Sequence, residues 1–97
     1  MTERAGDMYE CEVKALFMQD GSKVRRWKKA SVATLASGEQ PDIRCMHCHG
    51  RVRVHKNKVA HGPADHVEHL SRADSEGCQA GSYYDGRGHR MSANPVD

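Results

Sequence analysis

The sequence predicts a small α+β domain, rich in β-structure and stapled by a metal ion. Three observations carry that prediction. The chain has 97 residues, of which 37% are hydrophobic and 5% aromatic, so any core is thin. Domains this small and polar often need a disulfide or metal staple. Several short stretches alternate apolar and polar residues, the period of a half-buried strand. Finally, the segment from Ile43 to Cys78 gathers three of the four cysteines and six of the seven histidines.

No apolar run approaches the roughly 20 residues that span a bilayer. The opening "MTERAGDMYE" is polar and has no secretory character. A cytoplasmic chain with reduced cysteines is therefore expected, and there Cys-x-x-Cys means metal or redox chemistry before disulfide. The boundaries expected are a flexible N-terminus over 1–7, a zinc-binding domain over 8–79 and a mostly disordered tail over 80–97. The tail is rich in Gly, Ser, Asn and Asp and has no apolar period.

Within the domain, "YECEVKALFMQDGSKVRRW" reads as a β-hairpin. Cys11, Val13 and Ala15 alternate with Glu10, Glu12 and Lys14, and Asp20-Gly21 supplies a turn pair tolerant of positive φ. The return arm runs from Lys23 to about Lys28. "SVATLASG" predicts one or two helical turns, with Ser31 as N-cap and Gly38 as the stop. After the loop "EQPD", Ile43-Arg44 leads into a Cys45-Met-His-Cys48 knuckle. "RVRVH" places Val52 and Val54 on one face and Arg51, Arg53 and His55 on the other. "KNK" can turn the chain back into a short strand, "VAHG". Pro63 suits the first turn of a helix reaching about residue 73. Leu16, Val24, Leu35, Ile43 and Val52 are the expected core. Cys11, set between two glutamates, reads as a small buried residue rather than a ligand.

Zinc takes about four thiolate or imidazole ligands, usually as two close pairs from distant parts of a chain. Cys45 and Cys48 form the first pair. The second comes from His61, His66, His69 or Cys78. On a helix, His66 and His69 share a face and both reach the ion; alternatively one histidine joins Cys78. The favoured set is Cys45, Cys48, His69 and Cys78, with His66 as the rival histidine. Such a set makes a zinc-ribbon or treble-clef-like domain with a single structural zinc. A catalytic zinc keeps one position open for water, whereas four good ligands close it. The deaminase order places its Cys pair after His-x-Glu, opposite to the order here. The protease pattern His-Glu-x-x-His is absent, as is the later half of an HNH nuclease. No enzyme activity is expected.

Net charge is +2 overall, but residues 23–58 hold ten Lys/Arg against two acids, a local +8 that leaves −6 on the flanks. This asymmetry points to a polyanion. Lys23, Arg25, Arg26, Lys28, Lys29, Arg51, Arg53, Lys56 and Lys58 are the candidate nucleic-acid contacts. Trp27, among five of these cations, either stacks on a base or anchors the thin core, and the second use is favoured. Tyr83 and Tyr84 are a candidate anchor for a protein partner.

Taken in order, "ALFMQDGSKV", "IRCMHCHGRVRVHK", "DHVEH" and Cys78 resemble the N-terminal zinc-finger region of the competence protein CoiA-like family. Cys45 and Cys48 match that family's Cys pair, His66-Val67-Glu68-His69 its His-Phe-Ala-His element, and Cys78 its closing Cys. Three positions depart: His49 stands at the knuckle glycine, Met46 at the proline and Val67 at the phenylalanine. The resemblance covers about residues 15–78 and implies a β-rich zinc module associated with bacterial DNA processing. The family's nuclease-like domain has no counterpart in this sequence. The expected function is a nucleic-acid-binding module, with DNA ahead of RNA. The alternative is a zinc-stabilised protein-interaction adaptor or regulator from a phage or mobile element.

Overall fold

The computed structural model describes residues 8–56 and 64–97. Strand β1 (Glu10–Gln19) and strand β2 (Ser22–Ser31) form a long antiparallel hairpin, in register from Glu10 opposite Ser31 to Gln19 opposite Ser22. Asp20 and Gly21 take φ of 51° and 79°. Two successive positive φ values give the tight two-residue turn whose twist matches its strands, as the Asp-Gly pair predicts. The return arm is longer than expected and runs on to Ser31, whose hydroxyl accepts the Ala33 amide at 3.2 Å and caps a single 3-10 turn, Val32–Thr34. Gly38 does not stop a helix. It takes φ 100° and opens β3 (Gly38–Glu39).

Strand β4 (Ile43–Arg44) adds to the base of the hairpin, opposite Glu12 and Val13, completing a sheet of order β2-β1-β4. A second antiparallel sheet has β5 (Val52–His55) between β3 and β6 (His66–His69). The core lies where the two sheets meet, from Met8, Cys11, Val32, Ile43, Val52, Val54, Val67 and Ala80 together with Cys45, Cys48 and Cys78. Ile43 and Val52 are buried as expected, and so is Cys11. Leu35 and Val24 are only partly covered, and Leu16 is exposed. Trp27 stays outside the core, half-buried, with the Arg44 guanidinium 4.1 Å from its ring centroid.

The helix expected from Pro63 to about residue 73 is corrected. Over His66–His69 the chain is a strand, with Val54 opposite Val67 and Val52 opposite His69. Burying Val67 against β5 outweighs local helix preference. The helix α1 begins only at Arg72 and ends at Gly77, with the Ser71 hydroxyl accepting the Asp74 amide as its N-cap. The expected return strand "VAHG" lies outside the described residues.

Residues 80–97 contain no helix or strand, yet they differ from the disordered tail that composition predicts. Ser92 and Val96 donate their amides to the carbonyls of Cys48 and His49 at 2.9 and 2.8 Å. His89 donates Nε2–H to the His47 carbonyl at 2.8 Å and accepts the Gln79 amide at Nδ1. Arg44 holds the Val96 carbonyl at 2.9 Å. The tail is thus a strap across the knuckle, fixed by hydrogen bonds that leave no apolar period in the sequence.

Candidate metal centre

The knuckle between β4 and β5 is built by backbone bonds. The Cys45 amide reaches the Gly50 carbonyl and the His49 amide reaches the Cys45 carbonyl, each at 2.9 Å. Closing so tight a turn forces His49 to φ 63°. That is a left-handed conformation that usually falls to glycine and costs other residues about 1 kcal/mol or more. The His47 amide donates to Cys45 Sγ at 3.3 Å. Such N–H···S bonds favour thiolate over thiol. Gly50 is a point of close approach: a Cβ there would displace the Asp74 carboxylate, a side chain end that can rotate aside, and lie 3.3 Å from Cys48 Sγ.

Two further elements aim at the same point. Cys78 is the C-cap of α1, its amide bonded to the Asp74 carbonyl at 2.9 Å. His69 closes β6. The ligand atoms of Cys45, Cys48, His69 and Cys78 all lie within 4.8 Å of one another. Cys45 Sγ is 3.7 Å from Cys78 Sγ, and Cys48 Sγ is 3.4 Å from His69 Nε2. The three sulfurs are fully buried. These are the four residues favoured from spacing, and together they can hold a metal ion.

The protonation pattern agrees. Cys45 is held far below the usual thiol range by hydrogen bonds from Cys48 and Cys78. Cys48 is pushed far above it, by its contact with Cys45, then Cys78, then burial. Burial acts against charge on His69, but the contacts with Cys45 and Cys78 prevail and raise it to about 9. Cys11 behaves oppositely: burial first, then Cys45 and Glu12, raise its thiol to about 11, so it stays a neutral core residue.

A family model matches residues 2–97. The chain belongs to that family, whose function is unknown. No curated protein and no solved structure matches it.

His66 is kept out of this cluster by strand geometry. Successive side chains point to opposite faces of a strand, so His69 and Val67 face inward while His66 and Glu68 face outward. There His66 meets His55, ring centroids 4.8 Å apart, and its Nε2 lies 2.9 Å from Glu68 Oε1. Its Nδ1 is 2.7 Å from the Ala64 carbonyl. Both partners are acceptors. The His66 contact, ahead of those with Arg53, lowers the Glu68 carboxyl. Metal content should therefore respond unequally: His69→Ala loses the ion, and His66→Ala keeps it at full stoichiometry. Native mass spectrometry checks both. Equal loss in the two variants would contradict the strand assignment.

The candidate nucleic-acid residues do not form the single face that the run of charge suggests. In β2, Lys23, Arg25 and Lys29 share one face with Trp27, and Arg26 and Lys28 take the other. Arg51 and Arg53 belong to the second sheet, where Arg53 pairs with Glu68 at 3.1 Å. Lys56 is drawn to the Val32 carbonyl at 2.6 Å and to Asp65 at 3.8 Å. Lys58 lies outside the described residues. Arg25 and Lys29 have acidic neighbours in Asp42 and Glu10, at 3.0 and 3.9 Å. Among the described residues, no ion pair engages Lys23, Arg26, Lys28 or Arg51. Sequence reasoning missed the strap and the roles of Gly50, Asp74 and Met8, whose sulfur lies 3.6 Å from Cys45 Sγ. Only Gly50, following a Cys-x-x-Cys knuckle, carries a signal that spacing rules could have used.

Proposed function

We propose that this chain is a structural-zinc module of the cytoplasm that binds nucleic acid, with the β1–β2 hairpin as its contact. A tetrahedral zinc with sulfur at about 2.3 Å sets sulfur–sulfur edges of about 3.8 Å and sulfur–nitrogen edges slightly shorter. The separations of 3.7 and 3.4 Å support that ion. Three thiolates and one imidazole leave no position for substrate, so the ion's role is scaffold and the module is not an enzyme.

The observation that carries the binding function is the charge of β2: five cations, Lys23, Arg25, Arg26, Lys28 and Lys29, and no acid among its own ten residues. A two-stranded ribbon of this kind fits a nucleic-acid groove. The resemblance to the CoiA-like zinc region adds DNA as the expected polymer. Fluorescence anisotropy with a labelled duplex tests the reading. Four phosphate contacts would weaken binding about 100-fold between 50 and 200 mM salt. Each of Lys23→Ala and Arg25→Ala would make the log–log slope shallower by about 0.9. No binding at low salt would sink the proposal. The adaptor reading would then take its place, supported by the exposed Leu16, Phe17 and Met18.

A further inference from the structure

Strand β4 pairs with β1 only at Glu12 and Val13. Beyond Lys14, whose amide reaches the Asp42 carbonyl at 2.8 Å, the hairpin leaves the body of the domain. The part that stands clear is chemically asymmetric. On β1 it carries Leu16, Phe17 and Met18, which are 59%, 40% and 67% exposed. On β2 it carries Lys23, Arg25 and Arg26. The register sets Met18 directly opposite Lys23 and Leu16 opposite Arg25. Cross-strand partners share a face, so one face presents two apolar side chains, each beside a cation.

Exposed apolar patches need a partner, and charge decides which kind. A second copy would bring two basic β2 strands together, with Asp20 the sole acid of the outer ribbon to offset them. A lipid surface would meet the polar Asp20-Gly21 tip first, and the cations run back along about 20 Å of strand rather than gathering at that tip. A duplex offers a row of phosphates beside stacked, apolar base faces. Side chains such as Leu, Met and Phe enter base steps from the minor groove and kink the helix.

We propose that the outer ribbon is such a wedge: Leu16 and Met18 insert at a base step while Lys23 and Arg25 hold the flanking phosphates, so the duplex is kinked where the protein binds. This rests on the nucleic-acid reading above. Arg25 gives up only an exposed pair with Asp42, 3.0 Å apart, and such pairs contribute little.

The test uses the full, metal-loaded chain and a short duplex labelled at both ends. Anisotropy reports binding and energy transfer between the labels reports bending. The wild type should bind and raise the transfer. The double variant Leu16→Ser/Met18→Ser, altered only at exposed positions, should keep its metal and its salt slope but lose the bend. Binding without bending, or bending that survives the double variant, would overturn the wedge while leaving nucleic-acid binding in place. Absence of any anisotropy change at low salt would overturn both. Wild-type flotation with anionic phosphatidylserine vesicles, or self-association on sedimentation, overturns the wedge if the double variant abolishes it while the bend persists.

Discussion

Chelating the metal is expected to unfold most of the domain. The core has too little else to hold it. Its largest fully buried side chains are Val52, Val54 and four cysteines, and no aromatic residue is buried among the described residues. Three of those cysteines are the proposed ligands. Without the ion they become buried thiols and thiolates crowded around His69, with Cys45 and Cys78 sulfurs 3.7 Å apart. Structural zinc binds small peptides with an apparent 10–16 kcal/mol, about the size of a whole domain's stability of about 5–15 kcal/mol. A bound ion would also tie together the knuckle, the end of β6 and the end of α1. In excess chelator, circular dichroism should lose the strand signal and the cooperative thermal transition, and added zinc should restore both. Acid should act in the same direction, since thiols and imidazole must be deprotonated to bind, so the fold is present at neutral pH and lost as pH falls. A transition unchanged by chelator would contradict the account.

The second large effect is expected at Gly81. Its amide closes a turn onto the Cys78 carbonyl at 2.8 Å. A Cβ there would collide with the Ser75 carbonyl oxygen and lie 2.6 Å from the Ser75 carbonyl carbon and Cα. All three obstacles are backbone, so no side chain can rotate aside. Gly81→Ala must separate the strap from α1 and tilt Cys78, the ligand between them. Overpacking ordinarily costs about 1–3 kcal/mol, and this substitution should lie at the top of that range or above it. Urea unfolding of the metal-loaded variant measures the loss, and competition with a chromophoric chelator should show weaker metal retention. A change under about 0.5 kcal/mol, the level of an ordinary surface substitution, would show that the turn moves freely.

The parts of this molecule written in local sequence were legible. Asp20-Gly21 announces its turn because few other pairs accept two positive φ values. Val52 and Val54 announce β5 because their period is two. Cys45 and Cys48 announce the knuckle because two intervening residues let both sulfurs meet one ion. His66 and His69 were not separable on the same grounds. A helix puts them on one face, while a strand aligns His69, not His66, with Val67. Only the pairing of Val67 with Val54, across a long stretch of chain, decides between the two. The strap was illegible for a different reason. Ser92 and Val96 are held through their backbone amides, and a backbone bond places no demand on side-chain type. The run of basic residues misled in a third way: charge is additive along a sequence, but strand alternation and two separate sheets divide it in space.

The most direct measurement is native mass spectrometry of the purified chain joined with X-ray absorption at the metal edge. The expected result is one zinc per chain, bound by three sulfurs and one nitrogen from Cys45, Cys48, Cys78 and His69. A chain that folds without metal, or an ion with fewer than three sulfur neighbours or a bound water, would contradict it.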